Sequence, residues 1–250
     1  MNISQHFEHL QCRVMSHSCG HEVLSDWADK SDDDPVFGLY KKCGFIGEQE
    51  ADILRRCAAQ FPGGRFLDIG AHTGWSSLHM ALTPAAEVIA VENMFDNAEF
   101  IYRFDCNISR AMLDHPHIRI VPFSGRSEEY HKQWETLTVR PRFDGVFIDG
   151  DHGAPNPLDD ANRAHAMLKT SGFIGFHDAI GGPVHDGVSY LLNRGFKAKL
   201  YWTSAALMVI CWRGTFAPPD YTPDAKLSVL LQPWMVPPSS EPGFPFERCE

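Results

Sequence analysis

The stretch from Arg65 to Ser76, Arg-Phe-Leu-Asp-Ile-Gly-Ala-His-Thr-Gly-Trp-Ser, constrains the fold of this chain more than any other. Its apolar residues Phe66, Leu67 and Ile69 flank a carboxylate, Asp68, and lead into a turn with glycine at 70 and 74 and a helix-like segment from about Trp75. The pattern predicts a buried strand, a tight turn and a helix start in immediate succession. Glycine lets backbone approach a bound ligand closely, because a Cβ there would collide with it, and the free N–H groups of a helix start favour an anionic group. A small charged ligand over this turn is the expectation.

Around this unit, strand and helix patterns alternate. A helix over about 48–60 puts Ile53, Leu54, Cys57 and Ala58 on one face, as packing on a sheet requires. Pro62-Gly63-Gly64 breaks the chain before the central strand, and a crossover helix from Trp75 to Leu82 stops near Pro84. Further strands are read at 87–92, 118–121, 143–149 and 172–177, helices at about 95–112, 128–136, 158–168 and 185–194, and a closing strand pair at 196–202 and 205–212. The second strand, Glu87-Val88-Ile89-Ala90-Val91-Glu92, alternates little, which suits a parallel strand covered on both faces. Together these predict an α/β fold: a doubly wound, Rossmann-like, seven-stranded, mostly parallel sheet with helices on both faces. Residues 1–47 read as a leader or lid, 48–214 as the ligand-binding domain, and 215–250, where prolines concentrate without periodicity, as an extended tail on the surface or a disordered one.

Composition narrows the function classes. At 250 residues and 44% apolar content, one sizeable core is expected. No run is apolar enough to span a bilayer, and the polar, His-rich N-terminus does not match a signal peptide, so a soluble, cytoplasmic protein without membrane partners is expected. Seven cysteines, an odd number in a chain too large to need staples, read as reduced thiols. Cys12, His17, Cys19 and His21 form a local cluster whose spacing matches no common zinc pattern; an ordinary leader is the simpler account. A formal charge of −10 argues against a nucleic-acid partner, which needs a basic face.

In an open parallel sheet, ligands bind beyond the carboxyl ends of the strands, where strand order reverses. Asp68 lies beside that edge, and Glu92, Asp149 and Asp178 lie at or just beyond it. An acid that ends the second strand, as Glu92 does, can accept hydrogen bonds from both ribose hydroxyls of a nucleotide-like ligand; the plainer account is a solvated strand-end acid. The Gly-x-x-x-Gly spacing disfavours a dinucleotide and an NAD-linked oxidoreductase, and an adenosyl group with a compact charged tail fits better.

Asp-Ile-Gly-Ala-His-Thr-Gly-Trp-Ser, Val-Ile-Ala-Val-Glu, Phe-Ile-Asp-Gly-Asp-His and Gly-Phe-Ile-Gly-Phe-His-Asp, in that order, resemble the successive motifs of class I S-adenosylmethionine-dependent methyltransferases. The resemblance extends from about Gly44 to Trp212 and is closest to the small-molecule O-methyltransferases that include the macrolide-sugar enzymes, with the catechol type more distant. It implies that Asp68, Gly70, His72 and Gly74 wrap the methionine moiety, with Ser76 near its carboxylate. It further implies that Glu92 holds the ribose, that Gly125, Arg126 and Ser127 border the adenine, and that Asp149 joins the cofactor contacts. Asp149 and Asp178 match the carboxylates with which the metal-dependent members hold Mg²⁺. Two hard oxygen ligands at adjacent strand ends leave positions for waters and two substrate oxygens; a turn at Asp149 and a helix cap at Asp178 are the structural alternative.

His177 and Ala179 depart from the family pattern, which often has glutamate before the second aspartate in the sugar enzymes and asparagine after it in the catechol type. His177 is then either a third ligand, tilting preference from Mg²⁺ toward Mn²⁺, Fe²⁺ or Zn²⁺, or a residue packed beneath the site. His152 matches the general base of the sugar-methylating relatives, and imidazole suits that task near neutral pH; a surface-loop histidine is the alternative. His185 and Asp186 either reach substrate or cap a helix. The expected activity is transfer of a methyl group to a sugar or diol-like hydroxyl of a small molecule, assisted by Mg²⁺ or Mn²⁺. The rivals are a metal-independent N- or O-methyltransferase and a non-catalytic cofactor-binding protein that engages a partner through Trp234, Phe244 and Phe246. Aromatic residues near both termini are compatible with a homo-oligomer.

Overall fold

The computed structural model describes residues 46, 48–179, 182–203 and 207–221, together with a short strand at 247–248. The zinc-type cluster at 12–21, the leader and most of the proline-rich tail lie outside the described residues. Helix α1 (Glu48–Ala58) precedes β1 (Arg65–Ile69), α2 (Trp75–Ala81) and β2 (Glu87–Glu92). A 3₁₀ turn (Asn93–Asp96) leads into α3 (Ala98–Asp114), β3 (Ile120–Ser124), α4 (Ser127–Thr136) and β4 (Phe143–Ile148). Then come α5 (Asn156–Met167), β5 (Leu168–Phe176), α6 (Pro183–Leu192), β6 (Lys197–Trp202), β7 (Leu207–Arg213) and β8 (Glu247–Arg248).

The strands form one sheet in the order β3-β2-β1-β4-β5-β7-β6-β8, parallel except for β7, which runs antiparallel to both neighbours. Strand order reverses between β1 and β4, so the carboxyl ends of β1, β2 and β4 border a crevice. Both faces are covered. On one, Ile53, Leu54 and Cys57 of α1, Leu78 of α2 and Phe104 of α3 pack on Phe66 and Phe147; on the other, Ala161 and Ala164 of α5 and Val188 and Leu191 of α6 pack on Leu67, Val146 and Ile174. Each large aliphatic side chain buried this way contributes about 1.5–3 kcal/mol relative to exposure. Among the described residues no helix is long and apolar enough to cross a membrane.

Three boundaries differ from the sequence reading, each for a local reason. The third strand runs through Pro122 to Ser124 rather than ending at Val121, because β3 is an edge strand and needs no outward N–H at that position. The fifth strand starts at Leu168, which leaves helical geometry at the end of α5 and pairs with Phe143 before a register shift. The last crossover helix starts at Pro183, in the first turn where a missing N–H costs nothing, with Gly182 as its N-cap. Asp186 therefore lies inside α6 and does not cap it. The segment after Ala217 is laid on the fold where it is described: Gln60 donates to the Ala217 carbonyl, Tyr201 to that of Pro219, and Lys199 pairs with Asp220 at 2.8 Å. Farther on, β8 joins the seven expected strands by pairing parallel with β6.

Candidate active site

The β1–α2 turn is shaped by close packing within the protein. A Cβ on Gly70 (φ 83°) would lie 2.1 Å from the Asp149 carbonyl oxygen, and one on Gly74 (φ 92°) would lie 2.9 Å from the Phe104 ring. Both glycines are required by their protein neighbours, the chain just after β4 for Gly70 and α3 for Gly74. Asp68 is fully buried and accepts hydrogen bonds from the hydroxyls of Ser76, at 2.6 Å, and Ser77. Burial raises its carboxyl to about 7, partly offset by the two hydroxyls. Asp68 and Ser76 thus bond to each other across the turn, pinning the first turn of α2 to β1.

His72 donates its backbone N–H to Glu92 Oε2 at 2.9 Å, and the Met94 N–H donates to Oε1 at 3.1 Å. The Glu92 carboxylate, at the end of β2, is held by two backbone donors. The His72 ring stands edge-on to Phe100, and burial lowers its pKa to about 4, so the ring is neutral.

Glu92 faces a cleft of about 370 Å³ that Gly70, Gly125, Arg126, Ser127 and Asp149 also line. Residues from four strand ends meet here: Gly70 after β1, Glu92 of β2, Gly125 and Arg126 after β3, and Asp149 after β4. The Arg126 N–H donates to Glu129 at 2.7 Å, closing the start of α4, and the Ser127 hydroxyl donates to buried Asp160, which Arg163 also holds at 3.0 Å. Asp160 lines the same cleft and had no role in the sequence reading. His72, Gly74 and Ser76 do not line the cleft; Asp68, beneath it, shapes the turn.

Asp149 is where the cleft meets a second cluster. His152 lies between Asp149 and Asp178, with Nε2 3.6 Å from Asp149 Oδ1 and Nδ1 3.6 Å from Asp178 Oδ2. These are charge contacts beyond hydrogen-bonding distance, and Nε2 has no hydrogen-bond partner among the described residues. The Asp149 carboxylate raises the pKa of His152 above the ordinary histidine value. Asp178 adopts a left-handed backbone (φ 51°), which aspartate tolerates better than most residues.

His177 sits beneath the two acids, 3% exposed. Its Nδ1 lies 3.0 Å from Asp149 Oδ1 and 3.3 Å from Asp178 Oδ2, shared between them and aligned as a hydrogen bond with neither. Its Nε2 is hydrogen-bonded at 3.3 Å to Glu50, a fully buried acid of α1 that also accepts from the Thr203 hydroxyl at 3.0 Å. Burial alone would push the His177 pKa down, but Asp149 and Glu50 outweigh it and the value rises well above that of free histidine. That charge in turn lowers the pKa of Asp149 against the opposing effect of burial.

Of the two roles open to His177, its position matches packing beneath the site. The donors that converge to within 4.8 Å of one another are Asp149, His152 and Asp178. Two carboxylate oxygens and an imidazole nitrogen are a donor set that suits a divalent ion, and the imidazole of this group is that of His152. Glu50 was missed, although a signal existed: it falls three and four residues before Ile53 and Leu54, a carboxylate on the apolar stripe of α1.

Residues 67–179, which span the turn, Glu92, Asp149, His152 and Asp178, match the family model described as a methyltransferase domain. Similar solved structures include an O-methyltransferase from Bacillus cereus in complex with SAH, at 15% identity and a TM-score of 0.56, covering 80% of this chain and 100% of that one. An O-methyltransferase of tomaymycin synthesis from Streptomyces achromogenes, in complex with SAM, follows at 14% identity and 0.55, covering 77% and 95%. A precorrin-6y C5,15-methyltransferase from Geobacter metallireducens superposes at 15% identity and 0.53, covering 68% and 92%. Comparison with curated protein sequences finds no match. Residues 67–179 thus carry the sequence pattern of a methyltransferase domain, on a fold shared with solved methyltransferases. The precorrin enzyme shares that fold, so the fold alone does not choose the accepting atom.

Proposed function

We propose that the protein is an S-adenosylmethionine-dependent O-methyltransferase acting on a hydroxyl of a small molecule, sugar or diol-like, with His152 as general base. The observation that carries this is the His152 imidazole, without a hydrogen-bond partner at Nε2 among the described residues and set between two carboxylates where the cleft ends at Asp149. The catalytic unit is residues 48–214, with 1–47 as leader and 215–250 as tail. The SAM-bound and SAH-bound relatives support the choice of cofactor.

Glu92, fixed by the His72 and Met94 N–H groups, has the orientation to bind ribose hydroxyls, and the Gly125-Arg126-Ser127 turn closes the adenine end of the cleft. Asp68, through Ser76 and Ser77, holds the turn that supports the methionine end. The cofactor supplies an electrophilic methyl group on a sulfonium, and Asp149, kept ionised by His177, offers a negative charge to that end of the cleft. An acceptor hydroxyl placed near Asp149 would pass its proton to His152, and the carboxylates of Asp149 and Asp178 would stabilise the imidazolium that results.

A divalent ion, Mg²⁺ or Mn²⁺, fits the donor set: Asp149 and Asp178 would hold it, and it would supply polarisation of the acceptor hydroxyl. A metal-independent transferase has its own support, because the His177 imidazole already stands against both acids, at 3.0 and 3.3 Å. His152 cannot ligate through a nitrogen and take a proton on it at once, so the two versions are separable. Metal-stripped protein should bind SAH by isothermal titration, and methyl transfer to a panel of sugars and diols should be lost in His152→Ala. Loss in chelator with recovery in Mn²⁺ selects the metal-assisted version, and no response selects the other. Absence of SAH binding would remove the cofactor assignment itself.

A further inference from the structure

We infer that Glu50 is a positioning residue of the acceptor site: acting through His177, it sets the direction in which the Asp149 and Asp178 carboxylates face. The inference rests on the proposed function only for the identity of the site; the arrangement itself is independent of substrate. Glu50 and Thr203 come from α1 and the end of β6, and Asp149, His177 and Asp178 from the ends of β4 and β5, so the cluster ties four elements together at one edge of the sheet.

Position 50 belongs to the apolar face of α1, where Ile53, Leu54 and Cys57 are all buried. A residue needed only for packing would be aliphatic there, since a buried carboxylate without partners is strongly unfavourable. Glu50 is fully buried, and each carboxylate oxygen has a partner: Oε1 accepts from Thr203 and Oε2 faces His177 Nε2. Thr203 therefore fixes Glu50, and Glu50 fixes the ring.

An imidazole is rigid, so anchoring Nε2 at the back determines where Nδ1 points. That nitrogen meets Asp149 and Asp178 together, at 3.0 and 3.3 Å. With Glu50 removed, the hydrogen bond that selects this orientation over the flip about Cβ–Cγ is lost, and with it the common contact of the two acids. Histidines that orient catalytic or ligating groups are commonly held in this way by a carboxylate on the far nitrogen. Neither Glu50 nor His177 lines the cofactor cleft, so their effect on the acids can be read separately from cofactor binding.

The test compares wild type, Glu50→Gln and Glu50→Ala, each labelled with ¹⁵N-histidine and loaded with SAH. Imidazole N–H signals are recorded, Mn²⁺ affinity is titrated, and crystal structures of the SAH complexes are compared. The expected result is an SAH affinity within about twofold in all three, as for a residue outside the cleft. The slowly exchanging His177 Nε2–H signal should move or vanish in both variants, and the Asp149 and Asp178 carboxylates should turn. Mn²⁺ affinity should fall at least about tenfold, the loss typical of outer partners of a ligand set. An unchanged ring signal with unmoved carboxylates overturns the inference, as does a parallel loss of SAH binding, which would mark Glu50 as a general folding determinant. If wild type holds SAH but takes up no Mn²⁺, the metal-assisted version fails by itself, and the ring signal and carboxylate positions still decide the role of Glu50. If wild type does not bind SAH, the proposed function fails separately, and the same measurements are read on the unliganded protein.

Discussion

Asp68 is a carboxylate kept from water, and its value to the fold depends on its proton. Because burial raises its carboxyl from 3.8 to about 7 in the folded state, the native protein holds this proton more tightly than the unfolded chain does. Its contribution is fully present below the unfolded value and is lost as pH rises through the folded one, so raising the pH from about 4 to about 7 removes stability. A tenfold difference in proton affinity is worth about 1.4 kcal/mol, which puts the effect at a few kcal/mol. Asp68→Asn keeps an acceptor for Ser76 and Ser77, and urea unfolding compared at about pH 5 and about pH 8 should show a flatter dependence in the variant; equal dependence in both proteins would refute this role. Glu92 makes the opposite case, a strand-end acid held by two backbone N–H groups and proposed to bind the cofactor. Glu92→Ala should weaken SAH binding by about 10- to 100-fold in a calorimetric titration, the cost of hydrogen bonds to a charged acceptor, while Arg126→Ala should have a smaller effect because that side chain is exposed.

At the scale of elements, the glycine turn shows how a motif can be read correctly in position and incompletely in cause. Gly70 and Gly74 stand where the pattern put them, but their missing Cβ atoms make room for the Asp149 carbonyl and the Phe104 ring. Gly74→Ala should therefore lower stability by about 1–3 kcal/mol through overpacking and positive-φ strain while leaving SAH affinity within about threefold of wild type. Thermal melts with and without SAH measure both quantities, and a collapse of binding at constant stability would return Gly74 to the ligand. The helix α1 was legible as amphipathic from Ile53, Leu54 and Cys57, yet the residue that links it to chemistry was the one that broke the pattern. The third strand runs on through Pro122, which its place at the sheet edge permits because no N–H is needed there.

In the whole molecule, the candidate site lies at one reversal of strand order, and the opposite edge of the sheet is closed by a short strand. The strand β8 caps the edge farthest from the cleft, beyond β6. Deleting the chain from Glu247 onward should leave SAH affinity unchanged while lowering the melting temperature and raising the tendency to self-associate, because β6 would then present an unpaired edge. Light scattering together with SAH titration checks both halves of that expectation. The bridge from buried Asp144 to exposed Lys169 and to the Arg65 N–H also serves stability, joining β1, β4 and β5 at the end of the sheet away from the cleft.

The order of strands and helices, the parallel sheet and the positions of Glu92, Asp149, His152 and Asp178 were determined by the sequence alone. They follow from local periodicity, turn residues and motif order, which are properties of neighbours along the chain. What the tertiary structure decided are the relations between distant residues. Glu50 lies 127 positions from the histidine it anchors, and Gly70 is glycine because of a carbonyl on another strand. The surroundings of His177 were not legible either, because three carboxylates from separate elements converge on it. Charge acts through space at low local dielectric, and no pattern read along one strand or helix contains that sum.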